Sequence, residues 1–451
     1  MLRVTSIFSL ICLSFSVFAQ EAERTLTFSE AVKIALENNI NLKQTQNNLE
    51  ADQSSKVSSI ANMAPNVSIS GNLGRRDGNS FNQNEGRVIN GQLDFVSGTL
   101  NANMTLYNGL NQFNSVKQTD AQVDARMHQI KRSKQDVIRN VASQYLLCLL
   151  DVEFVKISEQ NLEVQRRQYD QITSQVEEGA LAKVDQVNQD YLVKNAELAK
   201  LRAEITLRND KTALATILQI DPSSNFSIQD PDFEVNGLEL ASYELDELYS
   251  LAAENRSDLL QTEKLEMVSK YQFKSNQGNY QPTLSAFFQY GSAYNQIVGV
   301  RRDSLYRSFD QQFRSDNIQK TYGLSLSIPI LNGFNSRNQT VRSRIAYENA
   351  KLDTESTRLV VKSNVINAHN SYRDASLNYE ASKAQLEAAQ LSFELESERF
   401  GLGASDLVTY TQASRNFINA QATFAQAKFT LLFQDILLQY AIGTLKFEDI
   451  Q

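Results

Sequence analysis

The 451-residue sequence is short of the residues that interrupt helices. It holds only 17 glycines and 5 prolines, which favours long unbroken helices over a turn-rich β fold. Two cysteines and two histidines leave little material for metal or redox chemistry. Net basic charge is missing too: the formal charge is −8, and no basic patch offsets phosphate repulsion, which argues against nucleic acid as a partner. Beyond the N-terminal segment no stretch nears the roughly eighteen apolar residues that a spanning helix needs. A mature chain that entered a membrane would have to do so as a closed β-barrel, because lipid leaves no other way to satisfy backbone polar groups. Catalytic signatures are also absent: there is no glycine-rich phosphate loop, zinc spacing or nucleophile elbow. His128 and His369 lie in long helical stretches without catalytic neighbours, so the sequence makes no case for an enzyme, a cofactor or a metal site.

The first segment is set apart. Arg3 supplies the positive end, "IFSLICLSFSVF" the apolar centre, and Val17-Phe18-Ala19 the small-residue cleavage rule. Residues 1–19 are expected to be a secretory signal peptide cut after Ala19. Cys12 follows Leu10 and Ile11 rather than a small residue, unlike a lipid-anchored cysteine. Cys148 is then the one remaining thiol and has no partner for an internal disulfide.

Four runs alternate with period two. They place strands near 66–75, 99–108, 283–291 and 321–330. Val67, Ile69, Gly71 and Leu73 share one face of the first, and Leu100, Ala102, Met104 and Leu106 one face of the second. Leu284, Ala286, Phe288 and Tyr290 do so in the third, and Tyr322, Leu324, Leu326, Ile328 and Ile330 in the fourth. Their other faces carry mainly Ser, Asn, Thr, Gln and Gly. A strand with lipid outside and water inside reads this way, and so does a half-buried strand of a soluble sheet. Tyr107, Tyr290 and Tyr322 suit an interfacial girdle. The polar stretches 75–98 and 292–320 read as loops, and deletion of 292–320 is expected to leave folding intact.

The pattern occurs twice. An offset of 217 pairs Pro65 with Pro282 and Glu37-Asn38 with Glu254-Asn255; an offset of 224 pairs Asn108-Gly109 with Asn332-Gly333 and Gly179 with Gly403, with one small slip expected inside the helix. The chain divides into a first repeat (20–220), a linker or equatorial segment (221–244) and a second repeat (245–451). Each repeat holds a helix, two strands and a long helical hairpin, 110–219 and 333–442.

Inside the hairpins apolar residues recur every seven. Val116, Val123, Ile130 and Val137 form one line, which shifts by four to Val141, Cys148, Val155, Leu162, Tyr169 and Val176. The second copy shows Ile345, Leu352, Leu359 and Ile366, then Tyr410, Phe417, Phe424, Leu431 and Leu438. Heptads with one stutter describe a coiled-coil seam, and Cys148 on that line reads as a core filler. A helix from 110 to 176 is about 100 Å long and needs partner helices, from its own chain or others. The hairpins turn at "EEGALAKVD" and "RFGLGASDL", where Gly179 and Gly403 suit the left-handed C-cap.

The junctions "LYNGLNQFN" and "IPILNGFNSRN", the tip glycines, and "LTFSEAVKIALENNINLKQTQ" with its copy "LDELYSLAAENRSDLLQTE" together resemble the TolC-like outer-membrane efflux and secretion channels. The resemblance covers nearly the whole mature chain. It implies a mostly α fold with transmembrane β: four barrel strands per chain and long periplasmic coiled-coil hairpins. Four strands cannot close a barrel, for which about eight are needed. Sequence alone allows two, three or four subunits; the resemblance selects a homotrimer with a 12-stranded barrel and an α-helical tunnel, and makes 221–244 with the C-terminal tail a belt around it.

The function implied is a passive exit duct in the outer membrane, gated at its periplasmic end. Its implied partners are outer-membrane lipid, a periplasmic adaptor (membrane fusion) protein and an inner-membrane RND or ABC transporter. The adaptor is expected at the tips, around Gly179, Ala180, Leu181 and Lys183 and around Leu402, Gly403, Ala404 and Ser405. The family's gate positions fall on Asp185, Asn188, Thr409 and Gln412, of which Asp185 alone is charged; Ser405 stands where a gate-locking arginine can occur. Asp185 reads equally well as an N-terminal helix carboxylate stabilised by the macrodipole. The competing reading is a secreted coiled-coil structural or adhesin protein without a pore.

Overall fold

The computed structural model describes residues 24–82, 86–229, 244–299 and 307–446. The expected signal peptide (1–19), residues 230–243 of the linker and residues 447–451 of the tail lie outside the described residues. In chain order the first half holds β1 (Arg24–Leu26), α1 (Phe28–Asn38), α2 (Ile40–Ala61), β2 (Asn66–Asn82), β3 (Arg87–Asn108), α3 (Asn111–Glu177) and α4 (Lys183–Leu218). There follow β4 (Phe226–Ile228), α5 (Leu245–Asn255), α6 (Ser257–Gly278), β5 (Thr283–Ile297), α7 (Phe309–Gln311) with a π turn (Gln312–Asp316), β6 (Gln319–Ser327), α8 (Asn335–Gly401) and α9 (Leu407–Ile442).

With no proline inside them, α3 and α8 each run 67 residues, and α4 and α9 each run 36. Each helix of the second pair starts and ends 224 residues after its counterpart, so the slip expected inside the helix does not occur. The single leading helix expected in each half is two helices, broken at Asn39 and Arg256. Thr27 and Glu30 form a capping box for α1, and the Asn39 side chain accepts from Leu42 N to start α2. The ends of the return helices clasp both breaks. Gln219 Oε1 accepts from Ile40 N at 3.0 Å. Arg256, the largest fully buried side chain, donates to Ala441 O at 3.1 Å and pairs with Asp258.

The sheet is antiparallel in the order β2-β3-β5-β6. Its first hairpin is far longer than 66–75 and 99–108 suggest: Asn66–Asn82 pairs throughout with Arg87–Asn103. The polar residues that look like a loop pair across strands instead, as in Arg75 with Asp94 (2.5 Å) and Gln92 with Asp77 (3.1 Å). β5 likewise runs past 291 to Ile297. β6 ends at Ser327, not at 330, ahead of Pro329, which has no N–H to give a ladder.

Beyond the start of β6, where Gln319 pairs with Gly291, β5 has a free edge, and the π turn covers it. The Gln312 amide donates to Asn295 O and accepts from Asn295 N, both at 3.2 Å, and Asn317 Nδ2 donates to Ala293 O at 2.6 Å. Within 292–320 the described residues, 292–299 and 307–320, are mainly strand and edge cap, so deletion of the segment would remove structure rather than a loop alone.

Register brings the apolar rows onto one face. Val67, Ala102, Phe288 and Tyr322 stand side by side across the four strands, while Ser68, Asn101, Gln289 and Thr321 form the next row on the opposite face. A bulge between Thr105 and Tyr107 corrects the expected row: Tyr107, not Leu106, stands opposite Leu284. Along β3 the apolar face runs from Tyr107 to Val96 and stops at Asp94. At about 3.4 Å per residue and a tilt of 35–45° that band is about 25–30 Å tall. On the polar face Phe95 and Phe287 lie over Gly74 and Gly323, where a Cβ would meet the rings at 2.7 and 3.1 Å.

Helices repeat the strand order: α2 packs on α3, α3 on α6, and α6 on α8. The main core joins α1, α3, α4 and α9 around Val141, Tyr145, Cys148 and Leu214. It also takes in β1 and β4, which pair in parallel, so the segment read as a linker is stitched to the start of the described chain. The Tyr145 hydroxyl lies 2.9 Å from Leu26 O and 2.7 Å from Gln229 O. Burial pushes the Cys148 thiol up to about 12, as suits a core filler. The seam is half covered. Val123, Val137, Cys148 and Leu162 are buried, whereas Ile345, Leu352 and Leu359 on α8 stay 50, 62 and 70% exposed. Among the described residues no helix is long and apolar enough to cross a membrane.

Candidate functional sites at the hairpin tips and strand-helix junctions

The two tips share one backbone design. Two residues beyond the last residues of α3 and α8 stand the left-handed Gly179 (φ 76°) and Gly403 (φ 70°). Ala180 N donates to Gln175 O and Ala404 N to Arg399 O, each at 2.8 Å, so the left-handed glycine closes the helix by returning the next N–H three residues before the cap.

The chemistry of the tips differs. At the first, Asp185 sits in the opening turn of α4 and accepts from Ala182 N at 3.3 Å, so the carboxylate serves as a helix cap. Asn188 is exposed on the same helix. Gln186 donates to Thr173 at 2.9 Å, and Gln189 donates to both oxygens of Gln165 at 2.9–3.0 Å, so amides clasp this hairpin.

At the second tip Thr409 takes the place of Asp185, and the capping carboxylate, which the sequence reading missed, is instead Asp406, at the position of Ala182. It is the N-cap of α9 and accepts from Thr409 N at 2.8 Å; this bond holds its carboxyl below the ordinary range. Thr409 donates its hydroxyl to the same carboxylate, and Gln412 bonds Asn416 within its own helix. The Asp-x-x-Thr spacing ahead of an apolar run was the available signal. Ser405 donates to buried Glu396, which also pairs with Arg399 at 3.0 Å, so it ties the tip to its own hairpin. Tyr410 stacks on Phe400 with centroids 5.1 Å apart and packs at a tilt on Phe393 at 5.8 Å, in the position where the first tip has the amide of Gln186.

Among the described residues no hydrogen bond or ion pair joins one tip to the other. Leu402, Val408, Val184 and Val187 are 84, 79, 60 and 58% exposed. Ala180 and Lys183 are exposed as well, and Leu181 half-buried.

The junctions are also a matched pair. Gly109 and Leu110 are both left-handed (φ 67° and 63°), as are Gly333 and Phe334 (64° and 60°). Two successive left-handed residues swing the chain from strand to helix, and a non-glycine second member is rare enough to mark a held conformation. Asn108 Oδ1 accepts from Gln112 N at 3.3 Å, and Asn332 Nδ2 donates to Ser336 at 2.7 Å. Gly109 lies against Gly278 so closely that a Cβ on either would sit 2.4 Å from the other's carbonyl oxygen. That approach leaves no trace in the sequence. Among the described residues no group of three or more His, Cys, Asp or Glu side chains could hold a metal.

The pattern of the family described as outer membrane efflux protein matches residues 31–218 and 248–444. Outer membrane protein TolC of Salmonella enteritidis is 22% identical over 383 residues, 84% of this chain and 73% of that protein. Among solved structures, the outer membrane protein VceC of Vibrio cholerae aligns over 92% of this chain and 96% of its own, with a TM-score of 0.79 at 14% identity. The CmeC outer membrane channel of Campylobacter jejuni aligns over 100 and 96%, with a TM-score of 0.78 at 15% identity. The two structures share the fold with this chain. None of the three is a secreted coiled-coil or adhesin protein.

Proposed function

The chain belongs to the outer membrane efflux protein family, and from that premise we propose that three copies, each a duplicated unit, join edge to edge into a 12-stranded barrel above a periplasmic helical tunnel. The protein itself is a passive efflux channel of the outer membrane and not an enzyme.

One observation carries the closure. Strands run β2-β3-β5-β6 and helices α2-α3-α6-α8, so both layers end open on the same two sides. Four strands with one apolar face are too few for a barrel of about eight or more. Further copies supply the missing neighbours, and the family's architecture favours three.

The tips are the proposed working end. A periplasmic adaptor docks around Gly179, Ala180, Leu181 and Lys183 and around Leu402, Gly403, Ala404 and Ser405. The exposed Val184 and Val408 extend that surface. An inner-membrane RND or ABC transporter supplies the energy. Asp185 and Asp406 give each subunit two carboxylates near the entrance, beside uncharged Asn188, Thr409 and Gln412, and set a mild cation preference. Asp185→Asn and Asp406→Asn can keep the capping acceptor while removing charge. Each should lower the cation-to-anion permeability ratio in a planar bilayer, and an unchanged ratio in the double variant would remove the gate assignment.

A further inference from the structure

We propose that Asn335 at the second strand-helix junction is completed by a second copy of this chain, with Ser58 and Asn62 of the partner subunit as its hydrogen-bond partners. The proposal rests on the multi-copy reading above and names the contact that holds the copies together where barrel meets tunnel.

The template lies inside one chain. At the first junction Asn111 Nδ2 donates to Asn279 Oδ1 at 2.9 Å, and Ser275 donates its hydroxyl to Asn111 Oδ1. Gly109 and Gly278 bring the two backbones together beside this triad. Farther down the same stripe Lys117 lies 5.7 Å from the Tyr271 ring, and Lys264 pairs with Asp124 at 2.7 Å.

Each member has a counterpart. An offset of 224 carries Gly109 and Asn111 to Gly333 and Asn335, and an offset of 217 carries Ser58, Ala61 and Asn62 to Ser275, Gly278 and Asn279. All three side chains of the triad keep their residue type; the paired glycines become Gly333 and Ala61, and the Ala61 methyl group requires a wider backbone approach than Gly278 makes to Gly109. Yet the counterparts do not meet in one chain. Asn335 opens α8 and Ser58 and Asn62 close α2, at opposite ends of the helix layer, and all three are exposed.

The faces around them fit. The stripe Lys117, Ala121, Asp124 and His128, which α3 turns to α6, corresponds on α8 to Val341, Ile345, Glu348 and Leu352. Ala121 is 7% exposed, whereas Val341, Ile345 and Leu352 are 38, 50 and 62% exposed. On α2 the 217 offset puts Asn47 and Ser54 where α6 has Lys264 and Tyr271, and both are exposed. An apolar stripe and the matching half of its contact thus stand uncovered on opposite sides of one chain. A second copy is the partner that carries both.

The test is cross-linking in outer membranes with a short bifunctional thiol reagent. Asn62→Cys with Asn335→Cys should give covalent dimer and trimer bands on a denaturing gel, and each single variant none. Asn111→Cys with Asn279→Cys is the control, giving a linked peptide by mass spectrometry without a heavier band. Ser58→Cys with Asn335→Cys serves if the first pair fails to reach the membrane. A linked control and an intact multi-copy complex, but no intermolecular bands from either pair, would overturn the contact and leave the multi-copy reading standing. A monomeric native mass would overturn both.

Discussion

Gly109 meets two demands at once: a left-handed backbone and no room for a methyl group. Gly179 meets only the first, since nothing lies within 4 Å of where its Cβ would be. Gly179→Ala should therefore cost about 1–2 kcal/mol of stability, the left-handed penalty alone. Gly109→Ala should cost clearly more, in the range of overpacked cores. Denaturant unfolding of the two purified variants in detergent checks the order. Asp151 makes a second case. It is buried against Asp210 in the α3–α4 hairpin, and burial with that neighbour raises its pKa to about 7. Between the ordinary carboxylate value and about 7 the folded protein keeps a proton that the unfolded chain has lost, so stability falls as pH rises through that window. Asp151→Asn should raise the thermal midpoint by a margin that widens from about pH 4 to about pH 7 and is constant above. A margin flat across that range would contradict the assignment. Asparagine-glycine turns and the tip glycines were legible in the sequence because their backbone demands are local. The Gly109–Gly278 approach and the Asp151–Asp210 pair join residues far apart in the chain, which no local pattern records.

At the scale of elements, the helices were the most legible part. Heptads, scarce proline and a glycine at each turn place α3, α4, α8 and α9 to within a few residues. Strand length was not legible. Cross-strand pairs such as Arg75 with Asp94 sit above the apolar band, where alternation of apolar and polar residues ends while pairing continues. The edge cap on β5 was invisible for a related reason: one glutamine side chain imitates a strand's backbone groups. Gln312→Ala should leave Asn295 N–H and C=O without those partners, cost about 1–3 kcal/mol and speed hydrogen exchange at Asn295. Unchanged protection there would mean that β5 holds its upper end without the cap. The contrast between amide-clasped and aromatic-stacked tips, Gln186 against Tyr410, was written in the sequence but needed the hairpin register to be read.

Taken whole, one chain is an open strip: a four-strand sheet continuous in order with a four-helix layer, apolar along one face of the sheet and uncovered along α8. Such a strip buries its seam and closes its sheet only in company. The most direct test is the mass of the mature protein extracted from outer membranes in mild detergent, corrected for bound detergent. The account predicts three chains per particle. A stable monomer in every detergent tried, with the sheet edges unpaired, would contradict it.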